Sequence, residues 1–345
     1  MPNFVGVNQL LKNGQNKSGG KRVGFLHGFE EIVSVENLLQ AWKEFIRGKR
    51  KKKDVQEFQL NLMDNIFQLH SDLANFNYKH GGYQVFNICD PKPRNIHKAT
   101  VGDRLLRHAI YRILYPFFDR TFISDSFSCR NNKGTHKALS RFRSFAYKVS
   151  KNNTRTCWIL KCDIKKFFAS IDQEVLLTIL KKHITGQKVI WLLQRVVGSF
   201  STRPGIGLPL GNLISQLFVN IYMNEFDQFM KYKLRVRYYL RYADDFVVLS
   251  ENKLWLEKIL LFVEEFLNKF LRLELHPDKI FIKTLYSGLD FLGWVNFFDH
   301  RVLRTTTKRR MLKKLAVMGN FAIRSSYLGL LKHGNSNKLK NKIAF

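Results

Sequence analysis

The stretch that most constrains this chain is Arg237-Tyr-Tyr-Leu-Arg-Tyr-Ala-Asp-Asp-Phe-Val-Val-Leu-Ser250, two short apolar runs on either side of adjacent carboxylates, Asp244 and Asp245. Residues 238–240 and 246–249 are β-branched and aromatic enough to pair as a hairpin with the aspartates at its tip. Such a tip is unfavourable. A two-residue hairpin turn prefers Asn-Gly or Asp-Gly because both central residues take positive φ, and neighbouring like charges repel. A divalent cation would offset the cost, since Mg²⁺ is held through one or two carboxylates together with substrate phosphates.

A second motif lies upstream. Cys157-Trp-Ile-Leu-Lys-Cys-Asp-Ile-Lys-Lys-Phe-Phe-Ala-Ser-Ile-Asp172 reads as an apolar strand ending at Asp163, followed by a turn carrying Phe167 and Phe168. A third carboxylate from a second strand end is what a two-ion site needs, because two Mg²⁺ roughly 3.5–4 Å apart must both be bridged and neutralised. Either motif alone could be a solvated surface turn; the two together point to metal-assisted chemistry.

Asp163 with its Phe-Phe, Tyr242-Ala-Asp-Asp245, and Gly207-Leu-Pro-Leu-Gly-Asn-Leu-Ile-Ser-Gln216 between them resemble, in chain order, the palm motifs of reverse transcriptases. Further matches run from Asp90-Pro-Lys-Pro-Arg-Asn-Ile-His-Lys98 through Asp103-Arg104, Lys133-Gly-Thr-His136 and His276-Pro-Asp-Lys279 to Gly288-Leu-Asp-Phe-Leu-Gly293, so the likeness covers about residues 30 to 300. Most members carry Gln before the second Gly of the central motif and Pro after its Ser. Leu210 and Gln216 stand there instead, a variant similar to the reverse transcriptases of diversity-generating retroelements.

The resemblance implies an α+β right-hand polymerase: fingers with part of the palm over 31–155, an antiparallel-sheet palm over 156–298, and a small basic helical thumb over 299–345, after a loose extension over 1–30. It implies that Asp163, Asp244 and Asp245 are catalytic and, with Ile164, hold two Mg²⁺, for which Mn²⁺ can substitute. The nucleotide-binding set is Lys92, Arg94, Phe168, Leu210, Gly211 and Gln216. Arg94 is the first choice for gripping the triphosphate, because guanidinium can hold phosphate through two hydrogen bonds. Phe168 corresponds to the steric gate that excludes a ribose 2′-OH. Lys279 is a candidate general acid, and Phe291, Leu292 and Gly293 form the primer grip. The implied partners are template RNA, a DNA primer or cDNA, dNTPs, and a small basic oligomeric accessory variability protein.

The wider sequence agrees with a polyanionic partner. Lys and Arg number 58 against 27 Asp and Glu, a formal charge of +31. Such an excess repels itself unless it faces nucleic acid, and no long apolar span or amphipathic basic helix suggests a membrane instead. Residues 301–345 hold twelve Lys or Arg and no Asp or Glu. Met311, Leu312, Leu315 and Met318 form a helical stripe there, and Lys308, Arg309, Arg310, Lys313 and Lys314 are expected on nucleic-acid backbone. Cys89, Cys129, Cys157 and Cys162 are scattered without metal-ligand spacing and are expected reduced and buried, as in a cytoplasmic protein.

Helices are expected from Ser34 to Phe45, from Val55 to Phe76, from Asp103 to near Pro116, from Asn212 to Met230 and from Leu254 to Leu271. Asp172 is expected as a helix cap rather than a metal ligand. The basic run from Arg47 to Lys53 is either a solvated face or a phosphate contact, and Arg104 either braces the fold or touches substrate. Two alternatives stay open: another bacterial reverse transcriptase, of the group II intron or phage-defence kind, and a catalytically idle RNA-binding palm protein. The lack of a visible maturase-like or endonuclease region after the thumb weighs against the intron reading.

Overall fold

The computed structural model describes residue 25 and residues 27–89 and 93–344. Lys92 and most of the expected N-terminal extension lie outside these residues. Within 1–30, Phe25 and Phe29 are already buried, and the Phe25 amide donates to the His183 carbonyl at 3.1 Å. The anchored chain therefore begins before residue 31.

Helix α1 spans Phe29–Val33 and α2 Val35–Phe45. The Ser34 hydroxyl caps α2 by accepting from the Asn37 amide at 3.1 Å, as the sequence suggests. The expected second helix is two helices, α3 over Lys53–Leu60 and α4 over Leu62–Ala74. The break falls at Asn61 (φ −115°, ψ 45°), and the Asn65 side chain satisfies the freed Phe58 carbonyl at 2.9 Å. Strands β1 (Tyr83–Ile88) and β2 (Arg94–Ala99) form an antiparallel hairpin. Helix α5 then spans Val101–Asp119, through Pro116 rather than ending there. Buried Leu114, Tyr115 and Phe118 on its last turns hold the helix across the missing proline N–H.

The central sheet has strand order β4-β5-β3-β6, all antiparallel, from Tyr239–Tyr242, Asp245–Ser250, Trp158–Asp163 and Phe281–Thr284. Its side-chain alternation feeds two cores. Leu160, Cys162, Phe246 and Val248 face the larger one, which includes residues of α10 (Leu213–Gln228) and α11 (Lys253–Leu271); α6 to α9 are Thr135–Val149, Phe167–Ser170, Gln173–Lys181 and Gln187–Gly198. Ile159, Leu240, Val247 and Leu249 face the other, with Phe142 and Phe145 of α6 and with Phe291 and Trp294. Those two rings belong to a three-stranded sheet of β7 (Leu289–Phe291), β8 (Trp294–Asn296) and β9 (Arg301–Leu303).

The basic end forms helices α12 (Thr305–Met318), α13 (Phe321–Leu331) and α14 (Asn337–Ala344). Met311 is buried in the second core and Leu312 and Leu315 pack beside it, but Met318 is 61% exposed and does not share the stripe's contact. Cys157 and Cys162 are buried thiols, whereas Cys89 and Cys129 are exposed, contrary to expectation. Among the described residues no helix is long and apolar enough to cross a membrane.

Under the β4–β5 hairpin lies Arg241, fully buried. It donates to both carboxylate oxygens of Asp227 at 2.8 and 2.6 Å, to Ser126 Oγ at 3.1 Å and to the Ala243 carbonyl at 3.0 Å. Tyr239 Oη donates to the same carboxylate at 2.6 Å. Removing one partner leaves a buried charge unpaired, so Arg241→Met should cost about 3–5 kcal/mol in urea unfolding, and Asp227→Leu added to it should recover a large part. Wild-type stability of the single variant would refute this pairing.

Candidate active site

The β4–β5 turn differs from expectation in one respect. Tyr242 pairs directly with Asp245, so the two loop residues are Ala243 and Asp244, and Asp245 opens the strand instead of sitting at the tip. Ala243 takes φ 56°, a left-handed conformation that costs roughly 1–2 kcal/mol for a residue with a Cβ. The hydrogen bond from Arg241 to its carbonyl holds it there.

Strand β3 brings the third carboxylate alongside. Asp163 is the cross-strand partner of Asp245, and the Ile164 amide donates to the Asp244 carbonyl at 3.2 Å. Ile164 is buried, so only its backbone is available to a ligand. From the other side, the His276 amide donates to the Asp163 carbonyl at 2.8 Å. The short turn Pro277–Lys279 then delivers Lys279 Nζ to Asp163 Oδ1 at 2.6 Å. Asp172 is a cap, accepting from the Val175 amide at 3.0 Å, and pairs with Arg272 at 2.7 Å.

Burial decides the electrostatics. The Asp245 carboxyl is pushed up to about 7, first by desolvation and further by the charges of Asp163 and Asp244, against the pull of Lys161. Asp244 is raised too, by burial and by the Asp163 charge, with Lys279 and Arg94 opposing. Arg94, the first residue of β2, is the last and smallest of the opposing charges. Lys161 was not singled out in the sequence, although its position is informative: two residues before Asp163 on a strand, it must share that carboxylate's face. It is 9% exposed, lies 3.2 Å from Asp245 Oδ2, and donates to the Asp290 carbonyl at 2.7 Å.

Among the described residues no three carboxylate, imidazole or thiol groups converge tightly enough to hold a metal ion by themselves; lysines stand against two of the three aspartates. The donors nevertheless suit a hard cation. Asp245 Oδ1 is buried with no hydrogen-bond partner, and crowded, desolvated carboxylates are the oxygen donors that Mg²⁺ takes.

The remaining expected residues fall around this corner. Phe168 is half-buried and packs edge-on against the buried Phe167, with ring centroids 5.7 Å apart. Its carbonyl accepts from the Leu208 amide at 2.8 Å, which ties Phe168 to the loop that carries Gly207 and Gly211. Leu210 is half-buried, and Gly211 has φ 93°, where an added Cβ would lie 3.3 Å from Ile96 of β2. Gln216 is half-buried on α10. Leu292 and Gly293, with φ 53° and 86°, make the two-residue turn between β7 and β8, the mirror-image turn that matches strand twist. Phe291 beneath it is buried. Lys308, Arg309, Arg310, Lys313 and Lys314 are all exposed on α12. Arg104 braces the fold by pairing with Asp54.

With this geometry in place, the comparisons define the class. The family model described as reverse transcriptase (RNA-dependent DNA polymerase) matches residues 79–296, well over half of the chain, and the chain belongs to that family. Among curated proteins it is 24% identical over 257 residues to Protein YkfC of Escherichia coli K12, covering 63% of this chain and 65% of that one. It is 22% identical over 302 residues to the group II intron-encoded protein LtrA of Lactococcus lactis subsp. cremoris, covering 66% of this chain and 48% of that one. The chain thus spans less than two thirds of the length of either relative. Apo telomerase from Candida tropicalis shares the fold, with a TM-score of 0.50 at 11% identity over 66% of this chain and 49% of that one.

Lys161→Met should destabilise the protein by about 1–3 kcal/mol, because the Asp290 carbonyl and Asp245 each lose their buried donor. Chemical denaturation measures this, and an unchanged unfolding midpoint would remove Lys161 from the account.

Proposed function

We propose that this chain is an RNA-directed DNA polymerase, adding deoxynucleotides to a primer along an RNA template. The observation that carries this reading is the meeting of Asp163 with Asp244 and Asp245 across the β3–β5 register, on the face of the sheet shared with the β7–β8 turn. The division into fingers (31–155), palm (156–298) and thumb (299–345) belongs to the same proposal, with the pairing of β8 and β9 joining the last two.

Asp163 and Asp244 would hold two Mg²⁺, with Asp245 and the Ile164 backbone assisting. When bound, the ions supply charge neutralisation at the primer 3′-oxygen and the departing pyrophosphate. The chain's own residues do the positioning. Arg94, with Lys92, would grip the triphosphate; Phe168 would fill the space of a ribose 2′-OH, selecting deoxynucleotides. Leu292–Gly293 over Phe291 would seat the primer end. Lys279, hydrogen-bonded to Asp163, would give a proton to the leaving pyrophosphate. The exposed cations of α12 would follow the duplex backbone.

Within this class we assign the chain to the diversity-generating type, copying a template-repeat RNA together with a small basic accessory protein and misreading adenines. Leu210 supports that assignment. An apolar side chain cannot give the nucleotide the hydrogen bond of an amide, and a net bond of about 0.5–1.5 kcal/mol corresponds to roughly 2- to 13-fold in discrimination. The intron-encoded relative favours a second reading, an intron-type reverse transcriptase. The product's error spectrum separates the two.

Asp244→Asn should abolish primer extension on RNA with Mg²⁺ while leaving the circular-dichroism spectrum intact; substantial extension by that variant would overturn the polymerase reading. Leu210→Gln should lower misincorporation opposite template adenine by roughly 2- to 13-fold in a sequenced-product assay. An unchanged spectrum would sink the mutagenic assignment while leaving the polymerase standing.

A further inference from the structure

Arg107, in the middle of α5, is 2% exposed, yet none of its hydrogen-bond partners among the described residues is a carboxylate. Its Nη1 donates to Asn212 Oδ1 at 2.6 Å. Its Nη2 meets His80 Nε2 at 2.9 Å, Ser199 Oγ at 3.3 Å and the Tyr83 hydroxyl. The nearest carboxylate sits one step away, with Asp103 Oδ2 3.5 Å from the same His80 Nε2. Burying a guanidinium against neutral groups is costly. What it gains here is reach: a planar fork can hold two separate segments in one fixed geometry.

Those segments carry the two groups of residues proposed above to bind the nucleotide. Tyr83 opens β1 of the fingers hairpin, whose partner strand β2 begins at Arg94. Asn212 directly follows Leu210 and Gly211, and its own Nδ2 returns a hydrogen bond to the His97 carbonyl of β2 at 3.3 Å. Between them, Ile96 lies against Gly211 so closely that a Cβ there would be 3.3 Å away. The hairpin and the glycine-marked loop are therefore bolted together at three points, with Arg107 as the member common to the hairpin base, the end of α9 and the loop.

We propose that Arg107 is a positioning residue that locks the triphosphate-gripping hairpin to the floor formed by Leu210 and Gly211, so that an incoming nucleotide meets one preassembled surface. This rests on the polymerase reading for its consequence, though not for its geometry. Loss of the lock should weaken nucleotide capture more than chemistry, because the three aspartates lie on other elements. Charge alone should not restore it, since a lysine nitrogen cannot span Asn212 and Tyr83 together.

The test compares wild type with Arg107→Met and Arg107→Lys by amide hydrogen exchange and by steady-state primer extension. Both variants should speed exchange in residues 83–89, 94–99 and 207–212 together, and raise the KM for dNTP about tenfold while kcat and the KM for primer–template move less than about threefold. Faster exchange confined to α5, or a fall in kcat with the nucleotide KM unmoved, would overturn the lock. If Arg107→Met does not fold, Tyr83→Phe removes one bond of the fork; it should raise the nucleotide KM in the same direction, and an unaltered KM and exchange pattern would count against the proposal. A wild type that never extends a primer defeats the polymerase reading, while the exchange data still decide the lock.

Discussion

One run of cross-strand pairing, from Trp158 against Ser250 to Asp163 against Asp245, determines where every acidic group of the site lies. Strand side chains alternate, so a slip of one residue would send Asp163 and Lys161 into the larger core and bring Leu160 and Cys162 to the working face. The apolar alternation on both strands forbids that slip. Ile159 and Val247 are buried in the core that holds Phe142, Phe291 and Trp294, and Leu160 and Phe246 in the one that holds residues of α10 and α11. The register that aligns the carboxylates is thus enforced by hydrophobic burial several residues away from them.

That arrangement concentrates negative charge in a nearly dry corner, and the surroundings bear its cost in two ways. The backbone is held by neighbours: the turn by Arg241, the end of β3 by the His276 amide. The side chains are faced by lysines reaching in from opposite directions, Lys279 from the segment before β6 and Lys161 from β3 itself. Even so, Asp245 retains an unpartnered buried oxygen, and a carboxyl raised to about 7 is only partly ionised near neutrality. A corner built this way gains more from a divalent cation than an exposed acidic turn would, because attraction strengthens as water is excluded.

Lys161 also links the corner to the neighbouring sheet. Its ammonium joins Asp245 to the carbonyl of Asp290, which precedes Phe291 at the base of the β7–β8 turn. Arg304, from beyond β9, donates in turn to the Asp290 side chain at 2.7 Å. The aspartate cluster, the turn assigned to the primer end and the start of the basic helices are therefore mechanically continuous.

The sequence by itself determined the local parts: that 238–240, 246–249 and the run ending at Asp163 form strands, that Asp244 and Asp245 lie where the hairpin turns, that Ser34 and Asp172 cap helices, and that the last helices are cationic. These depend on side-chain periodicity and turn chemistry, which are properties of neighbours along the chain. Tertiary structure alone decided that Asn61 divides a helix, that α5 passes through Pro116, that Ala243 rather than Asp245 occupies the turn, and that Cys89 and Cys129 are exposed. It alone paired Lys161 with Asp245 and Arg107 with Asn212, contacts between residues that are adjacent only after two cores have closed on either side of one sheet. Burial is a collective property of the packed chain, and it is burial that turns these polar residues from ordinary surface groups into the fixed parts of a site.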